Sequence, residues 1–448
     1  MANKTHTHAQ WSSRTAFVLA ATGSAVGLGN IWKFPYMVGE SGGAVFVLVY
    51  LCCIALIGLP ILVSEWLVGR RGQSNPINSM LKVSRDEGRS PAWALVGLAG
   101  VLGSFLILSF YSVVGGWSLN YTWGSATGGV GESAGVALGD YFGALLEQPW
   151  TLFGWHTLFM IVTFAIVACG VKGGLERAAK WLMPLLIVAL VVLIGYGTTT
   201  TGFGQAADFM FSPDWSKLNG SVVLAALGHA FFTLSLGMGI MMAYGSYLGQ
   251  DVDLIKTART VVILDTVIAL AAGMAIFPVV FANGQDAGSG PGLIFATLPV
   301  AFADMPAGML FGTLFFALLT IAALTSAISL LEPVTEFLEE RTPLPRIGAA
   351  LVAALAAWAL GIAALLSFNL WSGFTPFGLG VFDLLDTLTA KFMLPLTGLG
   401  AIVFVGWFVK SEGVNQELAL GGTGEMIWRI VSRFVAPIGV IVVFVSSL

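Results

Sequence analysis

Charge is what this sequence has least of. Only 10% of its 448 residues are Asp, Glu, Lys or Arg, against roughly 25% in an average soluble protein. Its 20 Lys+Arg and 24 Asp+Glu cannot clothe a soluble fold of this size, and 57% of the side chains are apolar. That apolar excess excludes disorder, and the net charge of −4 excludes a nucleic-acid binder. Cysteine is as scarce. Cys52 and Cys53 are neighbours and Cys169 lies in another apolar run, so no disulfide framework or metal spacing exists. The four histidines (His6, His8, His156 and His229) are scattered, which leaves an integral-membrane enzyme as a weak alternative. Met1 to Gln10 is polar and lacks a signal-peptide pattern, because the following apolar stretch runs too long without a cleavage-like flank. What remains is an all-α polytopic membrane protein, whose backbone satisfies its own hydrogen bonds inside lipid.

A spanning helix needs about 20 mostly apolar residues. Such runs fall at about 14–38, 43–68, 92–125, 151–170, 175–197, 221–250, 257–283, 309–338, 345–366, 377–409 and 426–448. Eleven spans put the two termini on opposite sides. Lys4, Arg14, Arg70, Arg71, Lys82, Arg85, Arg89, Lys172, Arg177, Lys180, Lys256, Arg259, Arg341, Arg346, Lys410, Arg429 and Arg433 all fall on one set of alternating loops. Lys33, Lys217 and Lys391 are the exceptions. The positive-inside rule then makes the N-terminus cytoplasmic and the C-terminus extracytoplasmic. Two outer loops, 125–150 and 284–308, are long and Gly-rich, and the second (Gly288-Ser289-Gly290-Pro291-Gly292) is expected to fold back as a lid.

Two spans carry an interruption. The first reads Gly23-Ser24-Ala25-Val26-Gly27-Leu28-Gly29-Asn30-Ile31-Trp32-Lys33-Phe34-Pro35. Each glycine in a helix interior costs about 1 kcal/mol relative to alanine, and non-helical backbone at membrane depth is tolerated only inside protein or beside a cavity. The sixth repeats the device in Phe231-Phe232-Thr233-Leu234-Ser235-Leu236-Gly237-Met238-Gly239. The breaks occupy corresponding places in two five-span halves, as in an inverted-repeat transporter with its binding site at the breaks. Close helix packing through small residues is the plainer alternative.

The first of these stretches resembles the first-helix signature of the neurotransmitter:sodium symporters, the LeuT family. Phe-Phe-Thr-Leu-Ser-Leu-Gly is similar to that family's sixth-helix signature, and Ala322-Ala323-Leu324-Thr325-Ser326 to its eighth; the match runs from Trp11 to about Trp407. The resemblance implies a LeuT-like 5+5 inverted repeat with eleven transmembrane helices, helices one and six broken. Repeat one would cover about 14–197, repeat two about 221–409, and an extra helix about 426–448, all in a single transporter domain 1–448. It implies sodium-coupled amino-acid symport by alternating access in a bacterial inner (plasma) membrane, as a monomer or weak dimer. Proton coupling, or a channel or non-transporting sensor of the same fold, stays open.

By the same resemblance, the Ala25 carbonyl, Asn30, Thr233 and Asp265 would hold one sodium ion with the substrate carboxylate, and Ala25 and Thr233 would also line the substrate site. The carbonyls of Gly23, Val26 and Ala322 with the hydroxyls of Thr325 and Ser326 would hold a second. Back-bonding to a helical carbonyl is the other reading of Thr325 and Ser326. Tyr111 with the Leu28 and Gly29 amides would meet the substrate carboxylate. Ile107, Phe232, Ser235, Met238, Ser326 and Leu330 would wall its side chain, and Gly237 would leave room there. The substrate expected is an apolar or aromatic L-amino acid, larger than glycine.

Asp265 departs from the family pattern. Chloride-dependent members carry Asn and Ser four residues apart on one face of helix seven; here the pair is Asp265 and Ala269. A charged residue in a span is a functional-site hypothesis by default, and Asp265 is expected to ligate sodium and supply the charge that chloride provides elsewhere; a protonated, hydrogen-bonded acid is the other reading. His229 stands where the family often has Gln; a satisfied core histidine is the plain reading and proton counter-transport the sharper one. The gates implied are Lys33 with Asp386 outside, Asp383 competing, and Phe232 capping the substrate. Inside, Trp11 and Arg14 match the family's N-terminal pattern, while the gate arginine falls on His8 and its acid on Glu340. Glu65 reads as a structural hydrogen-bonding acid and Glu332 as a further buried one. Gly174 and Pro184, with nine residues between them, resemble a pattern that lets the inner end of helix five unwind.

Overall fold

The computed structural model describes residues 10–130, 137–288 and 292–446, and every regular element among them is helical. Nine of these helices are long and apolar enough to cross a membrane: Ala44–Gly72, Pro91–Thr127, Pro149–Ala168, Val171–Gly197, Leu254–Ala282, Gly308–Arg341, Arg346–Leu366, Val381–Phe408 and Gly422–Ser446. A tenth is the pair Arg14–Ala25 and Gly29–Glu40, bent by 48° at the glycine-rich break. The run at 221–250 is split. Gly220–Thr233 and Ile240–Ser246 have 14 and 7 residues, and at 1.5 Å per residue neither reaches across a hydrocarbon core of about 30 Å. Among the described residues, nine continuous helices and one bent pair are therefore long and apolar enough to span, while the expected span at 221–250 is two shorter helices.

Burial ranks the helices. In Gly308–Arg341, 78% of the apolar window is buried, against 33% in Pro149–Ala168, Val171–Gly197 and Gly422–Ser446. The former therefore runs through the centre, beside both breaks, while the latter three turn apolar faces outward.

The backbone chemistry of each break is visible. Helix one ends where Val26 turns extended (φ −76°, ψ 94°), and the chain resumes through Asn30 and Ile31 N–H groups donating to the Gly27 carbonyl at 3.1 and 3.2 Å. In the sixth span Ser235, Gly237 and Gly239 take φ of 53°, 74° and 73°, a left-handed region that glycine enters freely. Gly237 is constrained twice, because a Cβ there would also lie 2.3 Å from the Leu394 carbonyl oxygen.

Three short helices, Pro76–Asp86, Phe203–Phe211 and Ser411–Leu418, are absent from the hydropathy reading. They are too short or too polar for a spanning run; Asn75 starts the first by accepting from the Ile77 and Asn78 N–H groups. In the outer loop at 284–308, Leu293–Thr297 and Leu298–Ala303 fold inward. Leu293, Ile294 and Phe295 are buried there, and Tyr121 donates to the Phe295 carbonyl at 2.6 Å. The Ser289–Pro291 part of the expected lid lies outside the described residues.

Candidate functional site

Between the two breaks lies a closed cavity of about 20 Å³, room for about one water molecule. Nine of the twelve residues expected at the substrate line it: Ala25, Gly29, Ile107, Tyr111, Phe232, Ser235, Met238, Ser326 and Leu330. Ser24, Gly27 and Ile240 complete the wall and were not foreseen. The other three expected residues sit just behind it. The Leu28 N–H donates to the Tyr111 hydroxyl at 3.1 Å. Thr233 turns to Asp265. The Gly237 N–H donates to Glu65 Oε1 at 2.8 Å, the structural role expected of that acid.

The polar end of the cavity is tightly knit. The Ser24 carbonyl accepts from the Ser235 hydroxyl at 2.9 Å and from the Ser326 hydroxyl at 3.1 Å. A Cβ on Gly27 would lie 2.2 Å from Ser326 Oγ and 2.8 Å from the Tyr111 hydroxyl, so only glycine lets the broken backbone meet both groups. Ile107, Met238, Ile240 and Leu330 supply the apolar side.

Beside the cavity, Asp265 is fully buried. Asn30 Nδ2 donates to its Oδ1 at 2.8 Å and to its carbonyl at 3.2 Å. Thr233 Oγ1 reaches both carboxyl oxygens at 3.2 Å, and the Tyr50 hydroxyl donates to Oδ2 at 3.4 Å. Tyr50 was not foreseen, because nothing in its local sequence marks it. No lysine or arginine pairs with Asp265 among the described residues. A buried carboxylate held only by neutral donors favours a cation beside it, and carboxylate, amide and hydroxyl oxygens are a hard-cation donor set.

On the other flank of the first break, Thr325 Oγ1 donates to the carbonyls of Ala322 at 3.0 Å, Ile321 at 3.3 Å and Val26 at 3.4 Å. Back-bonding and contact across to helix one therefore coexist. Gly23 faces the same threonine: a Cβ on it would lie 3.6 Å from Thr325 Cβ. Gly23, Val26, Ala322, Thr325 and Ser326 are thus brought to one place.

The model of the sodium:neurotransmitter symporter family matches residues 8–131 and 146–448. The chain belongs to that family. A protein of Haemophilus influenzae named an uncharacterized sodium-dependent transporter is 37% identical, over 98% of both chains. One of Bacillus subtilis with the same description is 35% identical, over 98% of this chain and 97% of its own. The crystal structure of MhsT in complex with L-phenylalanine superposes with a TM-score of 0.90 at 44% identity, covering 98% of this chain and all of that one. The fold is therefore LeuT-like. These relatives are transporters, which removes the membrane-enzyme alternative.

The gates of this symporter are built differently from the expectation. Lys33 does not pair with Asp386 among the described residues; its Nζ stands 4.4 Å from the centre of the Phe232 ring. An ammonium over an aromatic face is a stable alternative to an ion pair. Both residues, with Asp383 and Asp386, line a vestibule of about 280 Å³ walled by Trp32, Tyr36, Trp117 and Phe382.

On the opposite side, Trp11 donates from Nε1 to the Tyr244 carbonyl at 3.1 Å and from its N–H to the Tyr247 carbonyl at 3.2 Å. Arg14 Nε donates to Thr257 Oγ1 at 3.1 Å. Glu340 is held by the Asn75 N–H and Asn78 Nδ2, each at 3.0 Å, and by the Ser74 and Asn75 side chains. The inner ion pair implied for it is not formed with any described residue, and His8 lies outside them. Three neutral polar side chains, Ser74, Asn75 and Asn78, donate to the Glu340 carboxylate. Arg346 pairs with Glu332 and, at 3.3 Å, with Glu339, and the Tyr247 hydroxyl donates to Glu332 at 2.7 Å.

His229 corrects a further expectation. It is buried among Tyr50, Phe34 and Phe46 at ring separations of 5.3, 5.7 and 6.2 Å. Neither ring nitrogen has a hydrogen-bond partner among the described residues. The satisfied core histidine is therefore not what this box of rings contains.

Proposed function

We propose that the protein is a sodium-coupled symporter of apolar or aromatic L-amino acids, working by alternating access and independent of chloride. One observation carries the reading: the buried Asp265 carboxylate sits between Asn30 of the first break and Thr233 of the second, against the cavity. A sodium ion placed there would neutralise the carboxylate and bridge both half-helices, with the Ala25 carbonyl and the substrate carboxylate completing its shell. Asp265 carries a fixed charge, so no chloride is needed to balance the cation. A second sodium would lie among Gly23, Val26, Ala322, Thr325 and Ser326, tying helix one to helix eight.

The substrate carboxylate would take the Leu28 and Gly29 amides and the Tyr111 hydroxyl. Its ammonium would meet Ser235 and nearby carbonyls, and its side chain would displace Met238, Ile107 and Leu330. The flexible Met238 suits a cavity that must enlarge. The L-phenylalanine in the MhsT complex supports an aromatic substrate. Sodium and substrate then raise each other's affinity by the same factor, as linkage requires. We read 14–197 and 221–409 as the two repeats and 426–448 as an added eleventh helix. The N-terminus is cytoplasmic and the C-terminus extracytoplasmic, in a multi-pass inner membrane protein that is a monomer or weak dimer.

The test uses purified protein in liposomes. Labelled phenylalanine, tryptophan, leucine and glycine are offered with an inward sodium gradient, with choline replacing sodium, and with gluconate replacing chloride at fixed sodium. Sodium-driven accumulation of the large residues, unchanged in gluconate and abolished by Asp265→Ala, is the expected result. A chloride requirement, or glycine outcompeting the others, would overturn the corresponding part. The partnerless His229, one helical turn before Thr233, favours a second reading in which a proton moves with or against the cycle. Accumulation driven by a pH gradient without sodium would select it.

A further inference from the structure

The helix Val381–Phe408 ends in a turn whose carbonyls are used in an unusual way. Arg433 Nε donates to the Gly406 carbonyl at 2.7 Å, and Arg89 Nε donates to the Phe408 carbonyl at 3.1 Å. The two acceptors are two residues apart, while the arginines come from the last helix and from the loop before Pro91–Thr127. Each guanidinium also lies over a ring, Arg433 5.5 Å from Trp407 and Arg89 5.6 Å from Phe408. Trp407 is fixed in turn, donating to the Arg433 carbonyl at 3.1 Å and packing edge-on against Phe434 at 5.5 Å.

Such anchoring uses one of the five N–H donors of each guanidinium, and the other four make no hydrogen bond among the described residues. Neither arginine pairs with a carboxylate among the described residues. Glu87 and Glu425 are occupied by Arg71 and Arg429, and the exposed Asp86 and Glu412 pair with neither. Trp407 and Phe434 are 48% and 50% exposed, and exposed aromatic rings are enriched where a membrane meets water.

We propose that Arg89 and Arg433, seated on the Trp407–Phe408 shelf, bind the phosphodiester of an anionic phospholipid in the cytoplasmic leaflet. The inference rests on the cytoplasmic orientation of these loops argued above. A planar fork matches phosphate oxygens in two parallel hydrogen bonds. The backbone anchors and rings prepay the ordering of two long side chains. The anionic leaflet supplies the ligand at high local concentration.

The test is native mass spectrometry of the full-length transporter in detergent with equimolar phosphatidylglycerol and phosphatidylcholine. The wild type is expected to retain phosphatidylglycerol preferentially. Arg89→Gln with Arg433→Gln should lower that retention roughly tenfold or more, as two basic groups at an anionic surface imply. The Lys–Lys pair of variants, which keeps charge without the fork, should fall between. Lys256→Gln, at an exposed basic residue elsewhere on the same face, should change nothing. Retention unaltered by the double substitution overturns the proposal, as does equal loss with Lys256→Gln or equal retention of phosphatidylcholine. If the Gln pair unfolds, the Lys pair and Trp407→Ala, which removes the shelf but no charge, read the same prediction. Because transport is not the readout, failure of the amino-acid assignment would leave this result standing.

Discussion

The two ends of the central cavity are closed by different means. Outward, one ring lies over the cavity with one ammonium on its face, below a vestibule of about 280 Å³. Inward, the closure is many layers thick. Trp11 is pinned to Tyr244 and Tyr247. Ser12 donates its N–H at 3.0 Å and its hydroxyl to Glu176 at the start of Val171–Gly197. Tyr247, Glu332 and Arg346 join the split sixth span to the eighth and ninth. The outer closure can yield by turning a side chain, whereas the inner one needs a polar network to separate across several helices. In an alternating-access cycle, the binding energy of sodium and substrate would therefore be needed chiefly to release the inner side.

The largest expected effect comes from the centre of that network. Glu332→Leu would remove the carboxylate that Arg346 and the Tyr247 hydroxyl share, leaving Arg346 with Glu339 and the Val167 carbonyl. Removing one partner of a buried pair costs up to about 3–5 kcal/mol. Thermal unfolding in detergent should show a large fall in Tm. Adding Arg346→Met should restore most of it, because a matched apolar pair replaces a buried charge pair nearly neutrally. If the single variant keeps its Tm, the inner side is held elsewhere and the contrast between the two ends is weaker than drawn.

Trp11→Phe is a gentler probe. It keeps a ring against Tyr244 and Tyr247 but loses the bond to the Tyr244 carbonyl, worth about 1 kcal/mol. Labelling by a membrane-impermeant maleimide of Ala243→Cys, in a background without Cys52, Cys53 and Cys169, should quicken by roughly fivefold as the inner-open population rises. No change in rate would separate Trp11 from the closure.

How much of this was legible in the sequence depends on whether a feature is backbone or side-chain chemistry. The breaks were readable because glycines at 23, 27, 29, 237 and 239 contradict a membrane helix on their own. Asp265 was readable because a carboxylate in an apolar run needs a reason. Tyr50, Ser24 and Ile240 were not, since a tyrosine, serine or isoleucine in a span is unremarkable until a partner from a distant helix faces it. The direction of Lys33 was equally hidden. Its position predicts an acidic partner, but the Phe232 ring and the Asp386 carboxylate compete for one ammonium, and only packing decides. Glu340 teaches the same lesson, because the asparagines at 75 and 78 that claim it belong to a helix too short for hydropathy to reveal.

That competition at Lys33 gives the finest test of the outer side. Lys33→Met removes the charge from the Phe232 face, a contact worth about 0.5–1 kcal/mol at a partly exposed site. Labelled substrate should then leave toward the vestibule a few-fold faster, with the inner closure untouched. Lys33→Arg is sharper although its effect on that rate is smaller. A guanidinium offers a planar fork that matches a carboxylate in a way a single ammonium does not, so arginine should leave the ring for Asp386. Asp386→Asn should accordingly change the dissociation rate in the arginine background and hardly at all in the wild type. The coupling energy from that double-mutant cycle separates a gate held by a ring from one held by an ion pair. Equal effects of Asp386→Asn in both backgrounds would mean that Lys33 already engages Asp386 during the cycle, and the outer side would then be a polar closure like the inner one, only thinner.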